Sequence, residues 1–370
     1  MKETGVISSA QLFAMIILFE FGSALVVPIG LKAEEGAWLT ILVALPAGLL
    51  LYVIFDYLFR QNPNLILSGY IRKIVGAYLG WPLCVIYISF FIYVSARNLR
   101  EVGDLLISSS YNLTPSLVIH TAMIMAVIYV LRKGIEVLFR LGEIYLICTL
   151  GLGLISHVLL IFSGKIDLKN LLPLTGGGGW GSIFHAAYPY TFVFPFAELV
   201  CFTTILPHLK KLQTARKTGI IAILLSSAML SYTHAIEISV LGADVYGRAV
   251  FPLFTTISMI NIAGFIQHLD AFVILALIIG VFFKMTIYAY AALAVAADVF
   301  KVVEQRKLAY PIGIIIMFVS IVSAWSLPEH NQEGVGPALQ VIQPLFSCLI
   351  PVLLFIIHLI RKRFRLYRNM

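Results

Sequence analysis

The stretch AAYPYTFVFPFAELV, residues 186–200, decides the fold. It is apolar enough to lie in a bilayer, yet it carries two prolines and a glutamate. Pro189 and Pro195 each remove a backbone donor and crowd the preceding turn. Glu198 is costly in hydrocarbon. Unwound backbone at membrane depth survives only where it is buried in protein or lines a cavity. A span with these three features reads either as a kinked helix or as an interrupted one with a cavity beside it.

The rest of the chain supplies the membrane context. Of its 370 residues, 60% are hydrophobic and 12% are charged, and mean hydropathy is +0.97. A soluble domain carries about a quarter charged residues, so the composition is that of a polytopic membrane protein. Lys2 and Glu3 give no net basic leader and no small-x-small site follows the first apolar run, which reads as a retained span. Cys84, Cys148, Cys201 and Cys348 lie far apart, and the eight histidines are scattered. Neither set has the spacing of a disulfide framework or a metal site, and no cofactor is expected.

A span needs about 20 mostly apolar residues. Ten such runs occur, at 11–31, 37–58, 80–103, 115–131, 140–163, 182–206, 217–241, 267–298, 309–327 and 338–360. They form one all-α transmembrane domain over 1–360, followed by a basic tail, 361–370. No connection is long enough for a soluble domain, and no GxxxxGK[ST] phosphate loop is present. Of the 26 Lys and Arg residues, 19 fall in the termini and alternate loops on one face. The positive-inside rule makes that face, and both termini, cytoplasmic. The net charge of +8 then answers to anionic lipid at the inner leaflet, and nucleic acid is not an expected partner.

The interrupted sixth span has a counterpart. The first span reads MIILFEFGSALVVPIG from Met15, with Glu20 at membrane depth, the small pair Gly22-Ser23 and then Pro28. Five spans reverse the orientation, so spans one to five (about 11–163) and six to ten (about 182–360) read as inverted repeats. Interrupted spans at matching positions of two halves point to a transporter's binding site. The expected pocket has Gly22, Ser23 and Ala24 facing an unwound 190–194 segment. Tyr93, Phe192, Phe194, Pro195 and Tyr288 contribute its walls. Glu20, Glu198 and Lys284 are the candidates for charge pairing or a proton or ion step.

Lys284 has 13 residues of the apolar run 271–297 on either side, about 20 Å to each end at 1.5 Å per residue. Such a lysine does not snorkel easily and is expected to face the interior, paired with Glu20 or Glu198. Tyr288, four residues on, shares its face. Arg97–Glu101 and Arg100–Asp104 form a charged ladder toward the outer end of the third span. Glu237 is expected at the interface, Asp56 and Asp298 in reach of water, and 246–266 as an amphipathic cap over the site.

Three stretches carry a resemblance: QLFAMIILFEFGSALVVPIGLKAEEGAWLTILVA from Gln11, PYTFVFPFAELV from Pro189, and LDAFVILALIIGVFFKMTIYAYAALA from Leu269. The chain resembles the amino acid–polyamine–organocation transporter superfamily, and within it the B subunits of spore germinant receptors. The resemblance implies a five-plus-five inverted repeat like the bacterial leucine transporter core, with discontinuous helices 1 and 6. It implies a non-enzymatic subunit that senses a small nutrient, an amino acid or a sugar, beside A and C subunits in the spore inner membrane. In ion-coupled relatives a cation sits between the first and eighth spans, where the Lys284 ammonium could stand in for it. A proton-coupled amino-acid permease is the alternative. No metal-ligand set, HExxH or nucleophile–base pair supports an enzyme.

Overall fold

The computed structural model describes residues 6–260, 270–323, 329 and 334–364, with backbone only at 189, 270 and 335. Eight helices among these residues are long and apolar enough to cross a membrane. The two expected spans outside that set are the first and the sixth, both of which are cut into pieces.

The first span begins as α1 (Ser9–Phe21). Ser8 caps it: its hydroxyl accepts from the Gln11 N–H at 3.1 Å, and the Gln11 side chain accepts from the Ser8 N–H at 2.8 Å. The helix stops at Gly22, whose φ of −7° and ψ of −113° are not helical. One 3₁₀ turn follows over Ser23–Leu25. The α-helix does not resume before α2 (Ala37–Gln61), so the expected span 11–31 is helical only in its first half.

The chain continues through the short helix α3 (Leu67–Val75), then α4 (Ala77–Ser109), α5 (Ser116–Lys133) and α6 (Ile135–Phe162). Gly134 turns α5 into α6 at φ 98°, a conformation that glycine adopts without steric cost. The sixth span is α7 (Gly179–Ala186), a π turn over Ala187–Thr191, and a 3₁₀ stretch over Phe196–Thr204. Tyr188 leaves helical geometry at φ −122°, ψ 121°. The interruption is thus wider than the expected 190–194 segment and includes the turn before it.

The described helices that follow are α8 (Ala215–Arg248), the short α9 (Pro252–Ser258), α10 (Asp270–Val299), α11 (Ala309–Val322) and α12 (Ile350–Arg363). The backbone before α12 is π-helical over Gly334–Ile342 and Pro344–Leu349. Helix α1 sits against α6, α8 and α10, and α10 packs along α4. Gly280 on α10 lies against the Gly22 backbone at 3.5 Å from a built Cβ. Small residues at such crossings let membrane helices approach closely.

Hydrogen bonds gather the loops into two sets. At the basic end, Ile7 pairs with the 208–210 segment, Arg60 donates to the Gln213 carbonyl, and Arg361 donates to the Lys73 carbonyl. Arg72 bridges from α3 to Asp298 at 2.5 Å. At the opposite end, Asn170 donates to the Ser239 carbonyl and Gly177 to Glu34. These sets match the alternation read from loop charge. Residues 1–5, 261–269 and 365–370, which include part of the expected cap and tail, lie outside the described residues.

Candidate ligand-binding site

A cavity of about 350 Å³ opens at the end opposite the basic loops. It runs from the exposed Lys32 and Arg248 to the buried Ser23 and Glu198. At about 30 Å³ per water-sized unit, it suits a solute of on the order of a dozen non-hydrogen atoms. Both interruptions contribute: Ser23 and 27–32 from the first span, and Tyr190, Thr191, Phe194 and Glu198 from the sixth.

The deep end is organised by Lys284 of α10. Its ammonium donates to Ser23 Oγ at 2.8 Å and pairs with Glu198 at 2.5 Å. Both charged side chains are buried, at 0% and 2% exposed. The ammonium also lies over the rings of Phe194, at 4.5 Å, and Phe19, at 5.4 Å, a cation–π arrangement. Gln343 donates to the other Glu198 oxygen at 3.0 Å. Three interrupted or irregular segments, from spans one, six and ten, therefore meet through one ion pair. Of the two partners open to Lys284 in the sequence, Glu198 is the one bonded. Glu20 is fully buried, and neither of its carboxylate oxygens has a hydrogen-bond partner among the described residues.

Several sequence-expected residues stand near the cavity without lining it. Gly22 packs on the Lys284 stem: a Cβ there would come within 2.7 Å of Lys284 Cδ. Ala24 is buried and offers its carbonyl to His234. Tyr288 is buried, and its hydroxyl reaches the Glu198 carbonyl at 3.5 Å. Tyr93 belongs to α4, with Arg97 over its ring at 6.0 Å. Phe192 faces Tyr188 with ring centroids 6.2 Å apart, and Pro195 is buried at the head of the 3₁₀ stretch. Ser23, Phe194 and Glu198 are the expected residues that line the cavity directly.

The α4 ladder lines the cavity through Arg97, Glu101 and Asp104. Arg100 binds Asp104 through both carboxylate oxygens at 3.0–3.1 Å, and this pair is buried. Residues 247–251 close the outer wall, and Pro252 opens α9 just beyond them.

Two acids need correction. Glu237, expected at the interface, is 1% exposed and bonded to His234 Nδ1 at 2.9 Å. Asp56, expected in reach of water, is 1% exposed and paired with Arg60 at 2.6 Å. In both cases a basic partner one helical turn away covers the carboxylate, which position within the span does not reveal.

The sequence reading also missed a network behind the first interruption. His234 Nε2 meets the Ala24 carbonyl at 3.1 Å, and Nδ1 lies 3.0 Å from Tyr246 Oη. The Tyr246 hydroxyl accepts from the Ile29 N–H at 2.9 Å and donates to the Ile29 carbonyl at 3.0 Å. A carbonyl only accepts, so Nε2 carries a proton here. Gly242, at φ 73°, breaks α8 between His234 and Tyr246 and lets both side chains converge. The available signal was a lone histidine three residues before a glutamate in an apolar span. For Gln343 it was a single amide in the run VIQPLF, residues 341–346.

Residues 6–326 match the family described as spore germination protein. Spore germination protein KB of Bacillus subtilis (strain 168) is 38% identical over 359 residues, which cover 97% of this chain and 96% of that protein. Spore germination protein A2 of the same organism is 24% identical, over 82% and 80% of the two chains. Among solved structures, MhsT in complex with L-phenylalanine matches with a TM-score of 0.68, 14% identity, and coverage of 95% and 88%. Mhp1, a nucleobase-cation-symport-1 family transporter in a closed conformation with bromovinylhydantoin bound, matches at 0.64, with 11% identity and 93% and 79% coverage. The chain shares the fold of these two proteins.

Proposed function

Since the chain belongs to the spore germination protein family, we propose that it is the membrane subunit of a nutrient germinant receptor. It binds a small solute, an amino acid or a sugar, in the 350 Å³ cavity and passes that event to A and C receptor subunits in the spore inner membrane. Both termini are cytoplasmic in this reading, and the cavity faces outward. The observation that carries it is the convergence of two interrupted spans on Ser23, Glu198 and Lys284 at the buried end of that cavity. Acceptors on Glu101, Asp104 and Glu198 suit an ammonium or hydroxyls, and Arg97 near the mouth suits a carboxylate.

Spores lacking the chain should fail to respond to one nutrient within a panel of amino acids and sugars. The wild-type chain should restore that response, while Phe194→Ala at matched protein level should raise the nutrient concentration needed at least tenfold. Unchanged responses to the whole panel in the deletion would overturn the receptor reading. The likeness to MhsT, bound to an amino acid, supports a second reading, a proton-coupled amino-acid permease. Uptake of a labelled amino acid into proteoliposomes, driven by an imposed proton gradient, separates the two.

A further inference from the structure

A second cavity, of about 380 Å³, opens between α6, α8, α9 and α10, away from the charged site. Its walls are mostly apolar, with Leu154, Met229, Ile236 and Leu277 among them, and no charged side chain lines it among the described residues. Phe21 and Leu25, which flank the break at Gly22, form its wall nearest the first span. On α6 the lining runs from Thr149 to Leu160, about 16 Å at 1.5 Å per residue. That matches one leaflet of a hydrocarbon core about 30 Å thick. Neighbouring α6 side chains Ile155 and Ile161 are 57% and 60% exposed apolar surface, which in a membrane protein faces lipid.

Two polar groups are out of keeping with these walls. Thr149 is 8% exposed, and its hydroxyl has no hydrogen-bond partner among the described residues. His157 stacks on Tyr232 at 4.7 Å, and its Nε2 is buried without a partner among the described residues. Buried polar groups are normally satisfied, so each unsatisfied one points to a missing partner. Water suits polar cavities and leaves apolar ones dry. The volume holds on the order of a dozen non-hydrogen atoms.

We propose that this cavity binds an alkyl chain carrying one uncharged hydrogen-bonding oxygen. That chemistry belongs to the acyl ester of a membrane lipid and to a free medium-chain alcohol. The chain fills the apolar walls, and the oxygen bonds to Thr149 or His157.

The test is photolabelling of the full chain in lipid nanodiscs, with a diazirine-bearing phospholipid in one arm and a diazirine-bearing decanol in the other. Adducts are mapped by peptide mass spectrometry. The informative positions are Val273 and Leu277, which line the cavity and are 6% and 2% exposed. Ile155 and Phe162, 57% and 75% exposed, report ordinary lipid contact. Gly153 lines the cavity and a Cβ there meets nothing within 4 Å, so Gly153→Leu adds bulk at the cavity wall. Thr149→Phe adds it from a second position. The expected result is adducts at Val273 and Leu277 that fall at least tenfold in both variants, while those at Ile155 and Phe162 stay unchanged. Labelling by the phospholipid arm assigns the bilayer as the source, and labelling by the decanol arm assigns a free amphiphile. Absence of adducts at both positions in both arms, or adducts undiminished in either folded variant, overturns the proposal.

Discussion

At the scale of single residues, Lys284 joins three segments through Ser23, Glu198 and, across Glu198, Gln343. Removing one partner of a buried ion pair leaves the other charge uncompensated, which costs about 3–5 kcal/mol. Lys284→Ala is therefore expected to lower the thermal unfolding temperature and abolish ligand response. Lys284→Met combined with Glu198→Gln removes both charges, and should recover most of the stability while leaving the response absent. Recovery of both would assign the pair to the fold alone. Gly22 makes a sharper case. The sequence places Gly22 in the expected pocket itself, facing the 190–194 segment. The geometry instead puts a built Cβ 2.7 Å from Lys284 Cδ and 2.9 Å from its Cβ. Gly22→Leu should displace the lysine from Ser23 and impair response at normal membrane insertion, because leucine favours the span. Wild-type response from a fully inserted Gly22→Leu protein would show that the ammonium need not stay where it is.

At the scale of elements, both interruptions were legible because proline, glycine and a membrane-depth acid are local signals. What replaces the helix was not. The π turn at Ala187–Thr191 and the 3₁₀ stretch at Phe196–Thr204 depend on partners distant in sequence. Thr191 Oγ1, for example, bonds to Thr40 Oγ1 of α2 at 3.2 Å, and the Tyr188 hydroxyl donates to the Val43 carbonyl at 2.8 Å. The segment after α1 is likewise held from α8, by His234 at Ala24 and Tyr246 at Ile29. Hydropathy cannot report such contacts, because a threonine or histidine scores the same whether it faces lipid or a freed carbonyl. Tyr246→Phe removes both bonds to Ile29 and leaves a buried N–H and C=O unsatisfied, at a cost of about 1–3 kcal/mol. Pro28–Lys32 lines the cavity, so the same change should weaken ligand binding and speed hydrogen exchange at the Ile29 amide. Protection at Ile29 equal to that of wild type would mean that the tyrosine does not hold this wall.

At the scale of the whole molecule, the charged cavity opens at one end while contacts seal the other. Ile7 pairs with Leu209, Ser9 Oγ lies 2.6 Å from Thr214 Oγ1, and Arg72 and Ser68 both bind Asp298. The family and fold are of the receptor and transporter type, and these two uses of one architecture differ in whether the sealed end must open. A receptor can bind its solute with that end shut, whereas transport requires it to separate. Ser9 and Thr214 already point at each other, so the pair Ser9→Cys and Thr214→Cys is placed to form a disulfide that locks the end closed. In a background lacking the four native cysteines, a further Val27→Cys reports on the cavity, since Val27 lines it. With the lock oxidised, Val27→Cys should still react with a membrane-impermeant maleimide added outside. A single cysteine at Lys210 should react only from the cytoplasmic side. Outside labelling at Lys210 would invert the topology and turn the charged cavity inward. If oxidation instead protects Val27→Cys, closing the basic end shuts the cavity as well, and the two ends move as one.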